Sequence, residues 1–402
     1  MLRLALFLAC AAALMAQGRF QPLFNGKDLK GWTQCNGKAT YKVENGEIVG
    51  TTAEGSPNSF LCTDKEYGDF VLEYETKTDP ALNSGVQIRA HRYPADTAVM
   101  TNNGKTIVER KHPAGRVYGY QVETATEKSG ASGGIYDEAR RGWLHNIATD
   151  PVASKAFKDN QWNRYRIEAK GDHIRVWVNG VPCADLIDSM DLTGFIGLQV
   201  HQYKGPKPVE VRWRNIRIQD NGKHVWKPLF DGVSMNGWTK QGPGNWTIEN
   251  GAFHAVSVPN EEKGGFLVHD RSFGDATLRV RFKLEPTGNA NSGFFVRADP
   301  KTHAGYEVEI DEQKGTGGLF EVGGRRWVDG PSDNAAMKKN DWNELVASTH
   351  GDRIVFHLNG IKTLDLPNDT QGRKQGHVIL QLHNKRTTNI WFKDVAVLEP
   401  AK

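Results

Sequence analysis

Short runs in which apolar and polar residues alternate occupy most of the chain. Asp69-Phe70-Val71-Leu72-Glu73-Tyr74-Glu75 and Arg164-Tyr165-Arg166-Ile167-Glu168-Ala169 follow a period of two, the spacing of a strand with one buried face. Ile174-Arg175-Val176-Trp177-Val178 leads into Asn179-Gly180 and then Val181. An Asn-Gly pair between such runs predicts a hairpin, because both turn residues need positive φ. Ile354 to Leu358 followed by Asn359-Gly360 repeats the arrangement. No long run carries a persuasive 3.6-residue apolar period. About ten strands in each ~180–200 residues, without crossover helices, predict antiparallel sandwiches or jelly rolls.

The pattern occurs twice. Leu23-Phe24-Asn25-Gly26 with Gly31-Trp32 returns as Leu229-Phe230-Asp231-Gly232 with Gly237-Trp238. Asn83-Ser84-Gly85 and Arg89 return as Asn291-Ser292-Gly293 and Arg297, and Gly119-Tyr120 as Gly305-Tyr306. Trp162-Asn163 and Asn179-Gly180 return as Trp342-Asn343 and Asn359-Gly360, and Leu198-Gln199-Val200-His201 as Leu380-Gln381-Leu382-His383. Ordered matches over so much of the chain define a tandem duplication, with domains over 17–222 and 223–402 and a seam near Gly222. The offset between copies is about 206 early in the chain and 208 at Asn-Ser-Gly; it falls to 186 at Gly-Tyr and 180 at Trp-Asn. The first copy therefore carries 22 extra residues between Arg89 and Gly119 and about six more before Trp162. Extra loop length costs little stability and is where sites are built, which favours the first copy for function.

Residues 1–16 have the layout of a secretory signal peptide. A single charge at Arg3 precedes an apolar run from Leu4 to Leu14, and small Ala16 follows; such a core is too short to anchor in a membrane. The expected location is secreted or periplasmic. Without that segment the cysteines are Cys35, Cys62 and Cys183. Three widely spaced cysteines allow at most one disulfide and build no zinc ribbon; they read as small buried hydrophobes. Fifty-one Lys and Arg against 47 Asp and Glu leave a net charge of +4 over 402 residues, too balanced for a protein whose main partner is nucleic acid. No apolar run reaches the ~20 residues of a membrane-spanning helix.

Leu-Phe-Asn-Gly…Gly-Trp, Asn-Ser-Gly…Arg, Gly-Tyr-Gln-Val-Glu (119–123), Ser132-Gly133-Gly134-Ile135-Tyr136, Trp162-Asn163 and Gly197-Leu198-Gln199-Val200-His201 resemble the 3-keto-disaccharide hydrolase domain, a family similar in fold to concanavalin A-like lectins and glucanases. The resemblance covers both copies. It implies an all-β protein of two tandem concanavalin A-like jelly rolls that acts on a saccharide or glycoside and cleaves 3-keto-glycosides by hydrolysis or C1–C2 elimination. An upstream sugar 3-oxidoreductase is then the expected supplier of substrate.

Alternation along the strands assigns candidate residues. Val86 and Ile88 point to the core, so Gln87 and Arg89 face the other way; Gln121 and Glu123 flank inward Val122, and Gln199 and His201 flank inward Val200. With a ketone at C3 the C2 hydrogen is acidic. His201 is the natural acid or base, since an unperturbed imidazole titrates near 6.5, and Arg89 or a bound divalent cation would hold the oxyanion. Glu123 would donate a proton, orient the histidine or bind the cation. His91, Glu123 and His201 are the candidate metal ligands, since carboxylate and imidazole suit divalent cations. The loop residues Tyr136, Arg140, Arg141 and Trp143 suit sugar hydroxyls and a ring face. The second copy offers Arg297, Glu307, Glu309, Asp311, Gln381 and His383. Its carboxylate strand resembles that of jelly-roll glucanases, where paired carboxylates act as acid and nucleophile, although the order of residues differs. A non-catalytic carbohydrate-binding protein is the competing expectation. Trp32, Trp162 and Trp177 sit in fold-defining repeats and are expected in the core.

Overall fold

The computed structural model describes residues 18–102, 107–258 and 261–401. The expected signal segment, residues 1–16 with Cys10, lies outside the described residues. The chain divides into two compact units, one running to Val225 and including Pro400 and Ala401, the other Trp226–Glu399.

Each unit stacks an eight-stranded sheet on a seven-stranded one, and the pairings are antiparallel. Across the seven-stranded sheet of the first unit the order is Trp32–Cys35, Ser59–Thr63, Phe195–Val200, Ser84–Arg92, Val117–Thr124, Ile135–Glu138, Gly142–His145. The second unit repeats it: Trp238–Gln241, Gly265–Phe273, Gly376–Leu382, Asn291–Ala298, Gly305–Asp311, Leu319–Val322, Arg326–Asp329. This is the duplicated all-β jelly-roll architecture expected from the alternation.

Between the first pair of sheets lie Leu61, Val86, Val122 and Leu198 from one and Leu72, Ile167, Val176 and Trp213 from the other. Leu267, Phe294, Val308 and Leu380 meet Leu278, Leu345 and Phe356 in the second. The Asn-Gly turns are as expected, with φ of 51° and 83° at Asn179 and Gly180 and 51° and 77° at Asn359 and Gly360.

The main insertion of the first copy is not simply a loop. Thr97–Asn102 pairs with Ile107–His112 as a separate hairpin. Trp32 is buried, but Trp162 and Trp177 are not core residues. Their neighbours Asn163, Val176 and Val178 take the inward positions, so both indoles lie on the outer side, where Arg214 sits 4.0 Å from the Trp162 ring and Arg175 5.4 Å from that of Trp177. Cys35, Cys62 and Cys183 are free and buried. Among the described residues no helix is long and apolar enough to cross a membrane.

Candidate functional site

The face of the first seven-stranded sheet turned away from the core carries a row of amides and one carboxyl. Gln121, Gln87 and Gly197 pair across three strands, and Glu123, Gly85 and Gln199 pair in the same way two residues along. The Gln199 and Gln87 amides each lie 2.7 Å from Gln121 Oε1, and Gln121 Nε2 donates to Glu123 Oε2 at 2.9 Å. Asn83 donates to the other carboxyl oxygen. Gly85 makes the room: a β-carbon there would stand 2.7 Å from Gln121 Cγ.

Burial pushes the Glu123 carboxyl up to about 7, with nearby Glu138 adding to the rise and the Asn83 and Gln121 bonds opposing it. Desolvation penalises the charged form, and two amide donors recover only part of that cost. Gln199 Oε1 is buried without a partner. Glu138 accepts from Arg116, which lies within the inserted stretch, and from Asn58 at 3.2 Å. Tyr136 pairs with Gln121 in the ladder and meets exposed Trp143 edge-on, ring centres 5.3 Å apart.

Gln87, Gln121, Glu123, Gln199, Tyr136 and Trp143 thus share the outward face. Val200 pairs with Ser84, so the next residues on these chains are His201 and Asn83. His201 is partly exposed and its Nδ1 lies 2.9 Å from the Gln202 carbonyl.

Arg89 is elsewhere. Its φ of 47° marks a bulge at which the ladder shifts register, and an extra residue in a strand inverts the alternation beyond it. Ile88 and Arg89 therefore both point inward. The guanidinium is fully buried and bonds the carbonyls of Gly68 (2.8 Å), Gly171 (2.6 Å) and Asp191 (3.3 Å), and Asp69 Oδ1 (3.3 Å). Its acid partner is Asp69, not Glu123. Ala90 is switched outward into a small apolar cluster with Cys35, Phe60, Cys62 and Val117. Gly194 packs against the bulge so closely that a β-carbon would fall 2.3 Å from the Arg89 carbonyl carbon.

The same shift turns His91 toward Asp191, 3.8 Å away, so His91 does not join Glu123 and His201. Among the described residues no three His, Cys, Asp or Glu side chains gather as a metal site. The candidate ligand set does not fit a cation.

Arg140 and Arg141 are also withdrawn from the face. Asp137, paired with inward Tyr120, binds Arg140 Nε at 2.9 Å and also Arg141; Arg141 Nη1 reaches Asp188 at 2.7 Å, and Arg140 reaches Asp191.

The second unit repeats the frame with different chemistry. Arg297, φ 52°, is buried and bonds the Gly351 carbonyl at 3.0 Å and Asp275 at 2.9 Å. Glu307, Glu309 and Asp311 do share the outward face. Glu307 lies over Gly293, and Asn291 Nδ2 donates to Glu309 (2.7 Å) and Asp311 (2.9 Å). Burial, helped by Glu309, pushes Glu307 well above the carboxylate range. Glu309 is raised by burial to about 7 against the pull of Asn291. Around them Val268, Phe295, Ala298 and Ile379 form an apolar patch. Gln381 lies in the ladder opposite Gly293, and His383 Nδ1 is 2.7 Å from the Asn384 carbonyl.

Sequence reasoning did not single out Asn83, Asn291, Arg116, Glu138 or Asn58 as site residues. Recurrence of Asn-Ser-Gly in both copies was the signal for the first two.

A jelly roll whose outward sheet face holds a buried carboxyl beside an aromatic rim has the make-up of a carbohydrate-active protein. The chain belongs to the 3-keto-alpha-glucoside-1,2-lyase-like domain family, whose model matches residues 19–219 and again 225–398. No curated protein matches it. Similar solved structures include a carbohydrate-binding module from Bacillus subtilis (18% identity, 41% of this chain and 98% of that one, TM-score 0.35). A Bacillus subtilis protein of unknown function with a galectin-like fold matches at 14% identity (44% and 96%, TM-score 0.35). A β-1,3-1,4-glucanase from a mouse hindgut metagenome matches at 15% (44% and 99%, TM-score 0.32).

Proposed function

We propose that the first unit cleaves 3-keto-glycosides by eliminating the C1 substituent. The carbonyl at C3 acidifies the C2 hydrogen. Glu123 removes that proton, the C2–H electron pair becomes the C1=C2 double bond, and the C1–O bond breaks. His201, which follows Val200 as Asn83 precedes its ladder partner Ser84, protonates the departing oxygen. Arg116 replaces Arg89 as the cation facing the developing enolate oxygen, and Tyr136 with Trp143 flanks the sugar ring. Water added to the enone would complete a hydrolysis. The observation that carries this reading is the Glu123 carboxyl, buried on the outward face between two amide donors and held at about 7. A base with that pKa is half ionised at neutral pH, where proton transfer is most effective.

The first unit is preferred over the second because the inserted stretch brings Arg116 to Glu138, whereas Val322 is the apolar counterpart of Glu138 at the equivalent ladder position. The proposal includes export of the chain, from the character of residues 1–16, and a partner enzyme that oxidises C3.

The test is release of the leaving group from a 3-keto-glucoside and from its unoxidised parent. Glu123→Gln should lower turnover of the keto substrate by about 10²–10⁴-fold and stop exchange of deuterium at C2. Retention of the glycoside without release, by wild type as by the variant, would establish a binding protein instead.

A further inference from the structure

The second unit holds a groove of about 480 Å3 lined by Asn291, Glu309, Asp311, Lys314 and Trp327 and bordered by Gly330. Trp327 is 45% exposed yet firmly seated. β-Carbons at Gly315, Gly318 and Gly330 would fall 3.0, 2.4 and 3.2 Å from its ring atoms, so the indole rests on bare backbone and still lines the groove. Two acceptors have no donor, one in the groove lining and one further along the same ladder row. Asn291 and Gln381 are 7% and 8% exposed, and Asn291 Oδ1 and Gln381 Oε1 are without partners. The Asn291 orientation is fixed because its Nδ2 serves two carboxylates. Gln381 and Glu309 both pair with Gly293, which puts them in one row.

Buried polar atoms are rarely left unpaired in a native protein, and an orphan calls for an explanation. Here the orphans are both acceptors. Hydroxyl groups satisfy them, and each hydroxyl oxidised to a ketone is one donor fewer; the first unit's amide row has the counterpart of Gln381 Oε1 in Gln199 Oε1, and the second adds Asn291 Oδ1. An aromatic wall with a few convergent polar atoms is the make-up of a small-ligand site. A free cation is the poorer fit, because Lys314 lines the same groove and Arg386 already acts on Glu309.

We propose that the second unit binds an unoxidised pyranoside, its ring against Trp327 and its hydroxyls donating to Asn291 Oδ1, Gln381 Oε1 and the carboxylates of Glu309 and Asp311. This site differs from the first unit's face in place and in ligand, and no bond is made or broken there.

Calorimetric titration of the full chain carrying Glu123→Gln tests it. The probes are methyl glucosides, galactosides and mannosides of both anomers, with gluco-, galacto- and manno-oligosaccharides of two to six units. Saturable binding of at least one probe is expected, weakened at least tenfold by Trp327→Ala and by Gly318→Val. Circular dichroism checks that each variant folds, and Trp327→Ala, an exposed position, keeps the test decisive should Gly318→Val not. The proposal fails if no probe binds, if binding survives Trp327→Ala, or if Trp143→Ala alone removes it.

Discussion

Replacing Arg89 by Met separates a structural arginine from a catalytic one. The side chain is fully buried and supplies every hydrogen bond just described to Gly68, Gly171, Asp191 and Asp69. Methionine fills similar space but leaves three carbonyls without that donor and removes one cation from Asp69. Asp69 keeps the His224 ring and the Gly171 N–H, 2.9 Å away, so it is not stranded entirely. Breaking a buried pair from one side costs about 3–5 kcal/mol. A unit of this size loses about 2–4 °C per kcal/mol, which places the expected drop at roughly 6–20 °C. Differential scanning calorimetry should show the first unit's transition falling while the second, which keeps Arg297, stays in place as an internal standard. Below the lowered transition the variant should turn over 3-keto-glycoside within about threefold of wild type, well short of the 10²–10⁴-fold expected of an acid–base group. Unmoved transitions together with lost turnover would show that Arg89 acts on substrate, and the argument from the bulge would fall.

Two further outcomes follow from the carboxyl row. Glu123 titrates near 4.5 in the unfolded chain and at about 7 in the folded one, so the native state holds the proton more tightly. The associated stability is complete below pH 4.5 and is lost as pH rises to 7, a fall of roughly 3 kcal/mol in the first unit that Glu123→Gln should remove in urea titrations across that range; parallel curves would contradict the assignment. Gly85→Ala should cost about 1–3 kcal/mol and lower kcat on the keto substrate at least tenfold, because the new methyl displaces Gln121 from Glu123; unchanged kcat would show that the amide row is dispensable.

Alternation, Asn-Gly turns and internal repetition were enough to expect two all-β sandwiches, because each rests on local spacing. The same spacing placed Gln87, Gln121, Glu123 and Gln199 on one face, and it failed two residues further along at Arg89. A bulge there depends on how closely Gly194 approaches the strand, a contact about a hundred residues away in sequence that no period reveals. Arg140 and Arg141 misled for a related reason: a charged loop reads as solvated until Asp137, Asp188 and Asp191 are seen around it. Trp162 recurs as Trp342 while His357 stands at the place of Trp177, and both Trp162 and Trp177 serve as stacking surfaces for arginines outside the core.

The arginine-filled bulge recurs in both halves, with Gly194 and Gly376 in matching places. It fastens the end of the sandwich from within and makes no demand on what the opposite surface displays. Once the gene had doubled, either surface was free to drift: glutamine to phenylalanine at 87 and 295, glutamine to glutamate at 121 and 307. Grafting one half's outward side chains onto the other should therefore move a specificity without rebuilding the scaffold.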